Sequence, residues 1–427
     1  MNFTGLSLDQ APPISAPVRF FLTAPLFGIL AALFIFLSDA DVLSSRYALE
    51  SIALTHLFTI GFIAMVMLGA LQQMLPVLAG VSIPKAALVA NSSHLLIVTG
   101  LLGMVGGLLF TLKIPIFIAT LLLGLGFMIL LVGIFLAIKK VEFLTATIRG
   151  MRWALFFAVV VVFLGMHLLS SYGTGVSSEL HLIFANIHLL FAVFGFAGVL
   201  IMGVSFQVIP MFYVTPAFKE LYQKWLVVAV VVTLMLWSLL GFMAEDLVWI
   251  AKVILVVLFG LFGYLIIKKM GERKRPIADI TVYYWRLSGA MLIAGMLLWL
   301  ASEWIDQDLS VMVAILVGGG FVMSVMIGML YKIIPFLVWF HLNGMGYMSI
   351  PSMGEMVHKK MALVQFVLFV VSLALFISAF WMPLLMKLGA VTLLVSMLLL
   401  EINLVTAYRN YGETCKRKPD FDMSMMG

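Results

Sequence analysis

Twelve apolar runs, at residues 18–38, 50–79, 88–112, 114–138, 149–172, 180–209, 222–243, 246–268, 281–302, 308–335, 360–381 and 383–408, take up most of this chain. A helix needs about 20 apolar residues to cross a hydrocarbon core, and each run meets that length. None shows the short polar alternation of outer-membrane strands. Only 10% of the residues are charged and 64% are hydrophobic, with a mean hydropathy of +1.20. A water-soluble surface needs about 25% charged residues, so a soluble globule is excluded. The expected fold is an all-α polytopic membrane protein of 12 transmembrane helices, forming one membrane domain over residues 1–427 with no soluble insertion.

Within these runs one skeleton recurs three times: a glycine, a second glycine eight residues on, and a proline seven residues after that. The copies are Gly61, Gly69 and Pro76, then Gly195, Gly203 and Pro210, then Gly320, Gly328 and Pro335. Each carries a long polar side chain three residues before its proline: Gln73, Gln207 and Lys332. At about 100° per residue the glycines and proline of a copy share one stripe of a helix. Small residues in such a stripe let membrane helices approach closely. Each proline removes a backbone hydrogen bond and bends the helix toward one end, where the polar residue one turn earlier can meet the freed carbonyl. Lys332 instead snorkels or pairs. The spacing of the copies predicts three repeats of four helices, near 18–138, 149–268 and 281–408, with spans two, six and ten innermost.

Basic residues set the expected orientation. With both termini inside, the Lys139/Lys140, Arg149/Arg152, Lys268 to Arg275 and Lys416 to Lys418 groups face the cytoplasm, and only Arg46, Lys113, Lys252 and Lys387 lie outside. This asymmetry explains the formal charge of +6 without nucleic acid; the partner it suits is the lipid bilayer with its anionic headgroups. Residues 1–17 lack the basic and apolar regions of a cleavable signal, so the first span is expected to direct insertion. Cys415 is the single cysteine, which excludes an intrachain disulfide.

The histidines divide by depth. His94 sits near the inner end of span three, and His341 and His358 fall in the loop after span ten, all three read as solvated or interfacial. His56, His167, His181 and His188 fall in the outer half of the membrane. At about 1.5 Å per residue His56 lies about 9 Å, and His188 about 13 Å, below the start of its span. Imidazole inside a bilayer binds a cofactor, relays protons or bonds a neighbouring helix. Two histidines at similar depth on repeat-related helices suit either a shared cofactor or interhelical hydrogen bonding. Glu401 suits pairing with Arg409 or a proton relay, and the methionines of the repeat helices suit flexible packing.

Twelve spans in three groups of four, with His56 on the second and His188 on the sixth, resemble subunit I of the haem-copper oxidases. The segment THLFTIGFIAMVMLGALQQMLPVLAG looks like the second helix of its distant relatives, and the NnrS family of haem- and copper-containing membrane proteins is a neighbouring comparison. The resemblance implies that His56 ligates a low-spin haem b and that His188, with His181, offers a copper site. Against it, span seven has no histidine pair and span ten has no histidine. A dioxygen-reducing centre needs a high-spin haem beside a three-histidine copper, so a conventional terminal oxidase is excluded. A haem here would take His56 with His188, His167 or a methionine.

The expected function is a haem-binding, oxidase-like membrane protein, with copper as an additional candidate metal, acting in electron transfer or nitric-oxide handling with a redox partner or another membrane subunit. The alternatives are a secondary transporter and a cofactor-free scaffold or assembly factor. The expected location is the bacterial cytoplasmic membrane. Orientation is testable on Cys415: in intact cells a membrane-impermeant maleimide leaves it unlabelled, and permeabilisation exposes it. Labelling in intact cells would reverse the assignment.

Overall fold

A computed structural model describes residues 12–39, 42, 45–275 and 277–421. The expectation about the signal rests largely on residues 1–11, outside this set. Among the described residues the chain is all-helical, with twelve helices long and apolar enough to span a membrane. They are α1 (Ser15–Leu37), α2 (Leu49–Ala79), α3 (Ala86–Leu109), α4 (Lys113–Ile138), α5 (Ala146–Thr174), α6 (His181–Tyr213), α7 (Glu220–Met243), α8 (Glu245–Gly271), α9 (Ile280–Ala301), α10 (Ser310–Gly344), α11 (Lys359–Ser378) and α12 (Leu385–Thr414). A lipid bilayer is the environment such helices require, because inside it every backbone group must be satisfied within the chain.

Sequence neighbours are mostly neighbours in space: α3 lies against α4, α8 against α9 and α11 against α12, while α1 packs on α12 and so brings the two ends of the bundle together. The turn between α3 and α4 lies at residues 110–112, where Thr111 has a positive φ, and Lys113 to Pro115 form the first turn of α4. Proline is tolerated there because the first amides of a helix lack internal partners anyway.

The most buried spans are α2, α6 and α10. Their glycines explain how they reach the interior. A Cβ on Gly61 would lie 2.6 Å from Phe27 of α1, one on Gly195 2.5 Å from Phe157 of α5, and one on Gly320 2.6 Å from Met291 of α9. The second glycines repeat this one level down: Gly69 against Phe21, Gly203 against the α-carbon of Gly150, and Gly328 against Tyr284, each at 2.8 Å. Each buried helix thus lies against the helix that precedes it, at a distance only glycine allows.

The prolines do not end these helices. Helix α2 runs on to Ala79, α6 to Tyr213 and α10 past Pro335 to Gly344. The backbone departs from α geometry elsewhere, in π-helical stretches at Leu57–Ala64, Phe191–Gly198 and Ile315–Met323, each holding the first glycine of its motif. Wide turns of this kind re-aim the side chains around them and are frequent at functional sites.

Where the three helices meet, Met67, Met74, Met326 and Met329 line a small cavity of about 60 Å³ with Trp285, the packing role their flexibility suits. The Gly150/Gly203 contact is backbone against backbone, so it cannot be relieved by a rotamer change. Gly203→Val is expected to cost about 3 kcal/mol and lower the melting temperature of the detergent-solubilised protein. Gly241→Ala, whose methyl enters open space, is expected to change stability by less than about 1 kcal/mol.

Candidate functional site

His56 ends the α-helical part of α2, one residue before its π stretch, and His188 lies three residues before that of α6. The structure brings these two together: their ring centroids are 6.2 Å apart and the ring planes differ by 27°. Each ring is anchored through Nδ1. His56 Nδ1 lies 2.7 Å from the Ile52 carbonyl one turn back, and His188 Nδ1 lies 3.1 Å from the Val161 carbonyl of α5. A carbonyl only accepts, so both Nδ1 atoms carry the hydrogen and donate it. In the neutral rings Nε2 is then a free lone pair, the arrangement of metal-binding histidines whose other nitrogen is held by an acceptor. Gly165 makes room for this, since a Cβ there would stand 3.0 Å from Cε1 of His188.

The other candidates do not join the pair. His167 is exposed, its ring edge-on to Phe184, and His181 packs on Tyr172 with Nδ1 buried and unpartnered. Among the described residues no group of three or more His, Cys, Asp or Glu side chains converges. Of the inner histidines, His94 meets the Thr23 hydroxyl at 2.8 Å. His341 differs from its solvated assignment: α10 continues through it and buries it between the carbonyls of Leu337 and Pro12.

The polar repeat positions diverge. Both amide atoms of buried Gln73 lack partners, while its neighbour Gln72 donates to the Leu68 carbonyl; the local-backbone role expected of Gln73 is not seen, because burial turns its amide into the bundle. Gln207 is only partly buried. Lys332 pairs with Asp279 at 2.7 Å and stands over the Tyr213 ring, and the Tyr213 hydroxyl donates to Thr281 at 2.7 Å. Asp279 also caps α9 by accepting from the Thr281 amide at 3.1 Å, so its carboxylate ties α9 to α10, and Thr281 extends the link to Tyr213 of α6. Glu401 does not form its expected pair, and its buried Oε2 has no partner. Asn403 instead bonds the backbone of His358 and the Tyr331 hydroxyl.

A second feature was not legible in the chain. A cavity of about 950 Å³ lies among α2, α6 and α10 and reaches the end of the bundle that carries Arg46, Glu245 and Asp308, expected to face outward. Lys252, assigned above to the outside charges, is buried in α8 at its edge, where it pairs with Glu303, donates to Ser302 at 3.2 Å and stands over Trp299. The only signal was a lysine set six residues past the start of an apolar run. Asp308 beside the mouth sits below the usual carboxylate range: burial opposes its charge, but the Ser310 hydroxyl and amide and the Arg46 guanidinium outweigh that.

No protein-family model matches this chain, and no curated protein matches its sequence.

The Asp279 cluster makes a pH prediction. Burial opposes the carboxylate, yet Lys332 and Thr281 together hold its pKa below the ordinary value. A depressed carboxyl pKa contributes stability above its unfolded value, and the contribution is lost as pH falls through the folded one. Thermal scans of the Asp279→Asn variant should show lower stability at pH 7 and a smaller further loss below about pH 4 than wild type. Parallel acid profiles would remove Asp279 from the contacts that hold α9 to α10.

Proposed function

We propose that the chain is a haem-binding integral membrane protein of oxidase-like architecture that acts in electron transfer, with His56 and His188 as the residues that would hold a haem b. The observation that carries this reading is the paired rings with bare Nε2 atoms. Two imidazoles on opposite sides of one metal, each bonded at about 2 Å, have ring centres about 6 Å apart, which the 6.2 Å separation matches. Two protein donors suit an iron that brings its own four nitrogens better than a copper that depends on protein ligands, so copper at His181 and His188 is the weaker part. When bound, such a haem would supply a one-electron couple. The Val161 carbonyl and Gly165 orient His188, and the Ile52 carbonyl orients His56. A nitric-oxide role rests on the family resemblance alone.

The architecture is read as three four-helix units in the manner of oxidase subunit I. Supporting it are the like glycine contacts of α2 with α1, α6 with α5 and α10 with α9, and the π stretch at the same point of each motif. An electron-donating partner or second subunit is implied. On the expected inner side, Lys269 of the basic loop is already paired with Glu272 at 2.6 Å, which reduces the charge left for docking. A secondary transporter is the second reading, favoured by the large cavity at one end of the bundle.

The purified protein, reduced with dithionite, should show sharp haem bands and a pyridine haemochrome of the b type. His56→Ala and His188→Ala should each remove most of the haem, and His167→Ala should retain it. A colourless wild type, or full haem content in His56→Ala, sinks the proposal.

A further inference from the structure

The large cavity is built by the chain rather than left over. Two residues before the first motif glycine stand Thr59 in α2, Val193 in α6 and Gly318 in α10, and all three line it. In the third copy the next position is also glycine, Gly319, where the others have Ile60 and Phe194. A Cβ on Gly318 would meet nothing within 4 Å. Gly318 therefore withholds a side chain where the other copies have one, and the withheld volume belongs to the cavity, whereas a Cβ on Gly319 would stand 3.0 Å from Leu373. Packed interiors leave few voids larger than a water molecule, whereas ligand pockets run from about 300 to 1,000 Å³.

Its lining specifies a chemistry. Phe194, Trp299 and Trp237 form a stack of near-parallel rings along one wall, with centroids 5.4 Å and 5.6 Å apart at 18° and 24°. Flat rings pack on such a wall by the same offset stacking. The deep end is apolar, with Met323, Phe369 and Leu393. At the mouth Lys252 pairs with Glu303 and Arg46 stands near Asp308, and Glu245 and Asp246 add two further carboxylates, so the entrance offers donors and acceptors while its acidic excess disfavours an anionic ligand.

We propose that this cavity binds a neutral, flat-ring amphiphile that carries hydrogen-bond acceptors on its ring and an apolar tail. The ring lies along the Trp237/Trp299 wall, its oxygens reach the Lys252 end, and the tail occupies the apolar depth. Neither histidine of the pair lines the cavity, although their chain neighbours Thr55 and Leu189 do.

The test uses the full chain in nanodiscs and decylubiquinone as the probe, with binding read by native mass spectrometry and by quenching of tryptophan fluorescence. Wild type should take up one decylubiquinone saturably. Gly318→Leu and Thr59→Phe, which fill the cavity from opposite helices, should each weaken binding by at least about tenfold, while Gly318→Ala stays near wild type. Melting curves show which variants are folded, and either filling variant suffices. Non-saturable uptake by wild type, adducts of phospholipid only, or unchanged affinity in a folded filling variant overturns the proposal.

Discussion

The close approach of each inner helix to the helix before it is the contact on which the bundle depends. In a bilayer, helices gain little by leaving lipid for one another, so association rests on how well their surfaces fit. Six glycines supply that fit, and at Gly150 and Gly203 the two backbones touch. Without it α2, α6 and α10 would stand off from α1, α5 and α9, and neither the histidine pair nor the ring-walled cavity would keep its dimensions.

The π stretches convert this packing into a site. An α-helix carried unchanged through residues 57–64 and 191–198 would set the outer histidine turns at a different rotation from the motif glycines below. The wide turn separates the two requirements, so the glycines face the preceding helix while His56 and His188 face each other. In α10 the same turn carries no histidine above it and extra glycines within it, and there the structure opens into the cavity. One backbone device thus serves two different local outcomes, decided by which side chains flank it.

Much of the fold was legible because its determinants are local. Apolar run length specifies spans, and glycine spacing specifies which face approaches a neighbour. Spans six and ten were ended at Pro210 and Pro335, short of where the helices stop, since a proline's lost hydrogen bond is tolerated when surrounding helices hold the segment in place. His341 and Lys252 were misjudged for a related reason. Both sit near the ends of apolar runs, where sequence cannot tell a residue facing water from one turned inward to the Pro12 carbonyl or to Glu303.

By itself the sequence determined an all-helical membrane chain, its twelve spans and the glycine faces of α2, α6 and α10, since all of these follow from hydropathy and helical periodicity. Only the tertiary structure decided that His56 meets His188 and not His167 or His181, that Lys332 pairs with Asp279, and that Gly318 borders a cavity. These depend on the rotation of one helix about its axis relative to another. That rotation is set by π turns and by contacts between residues on different helices, tens of positions or more apart, which no local periodicity encodes.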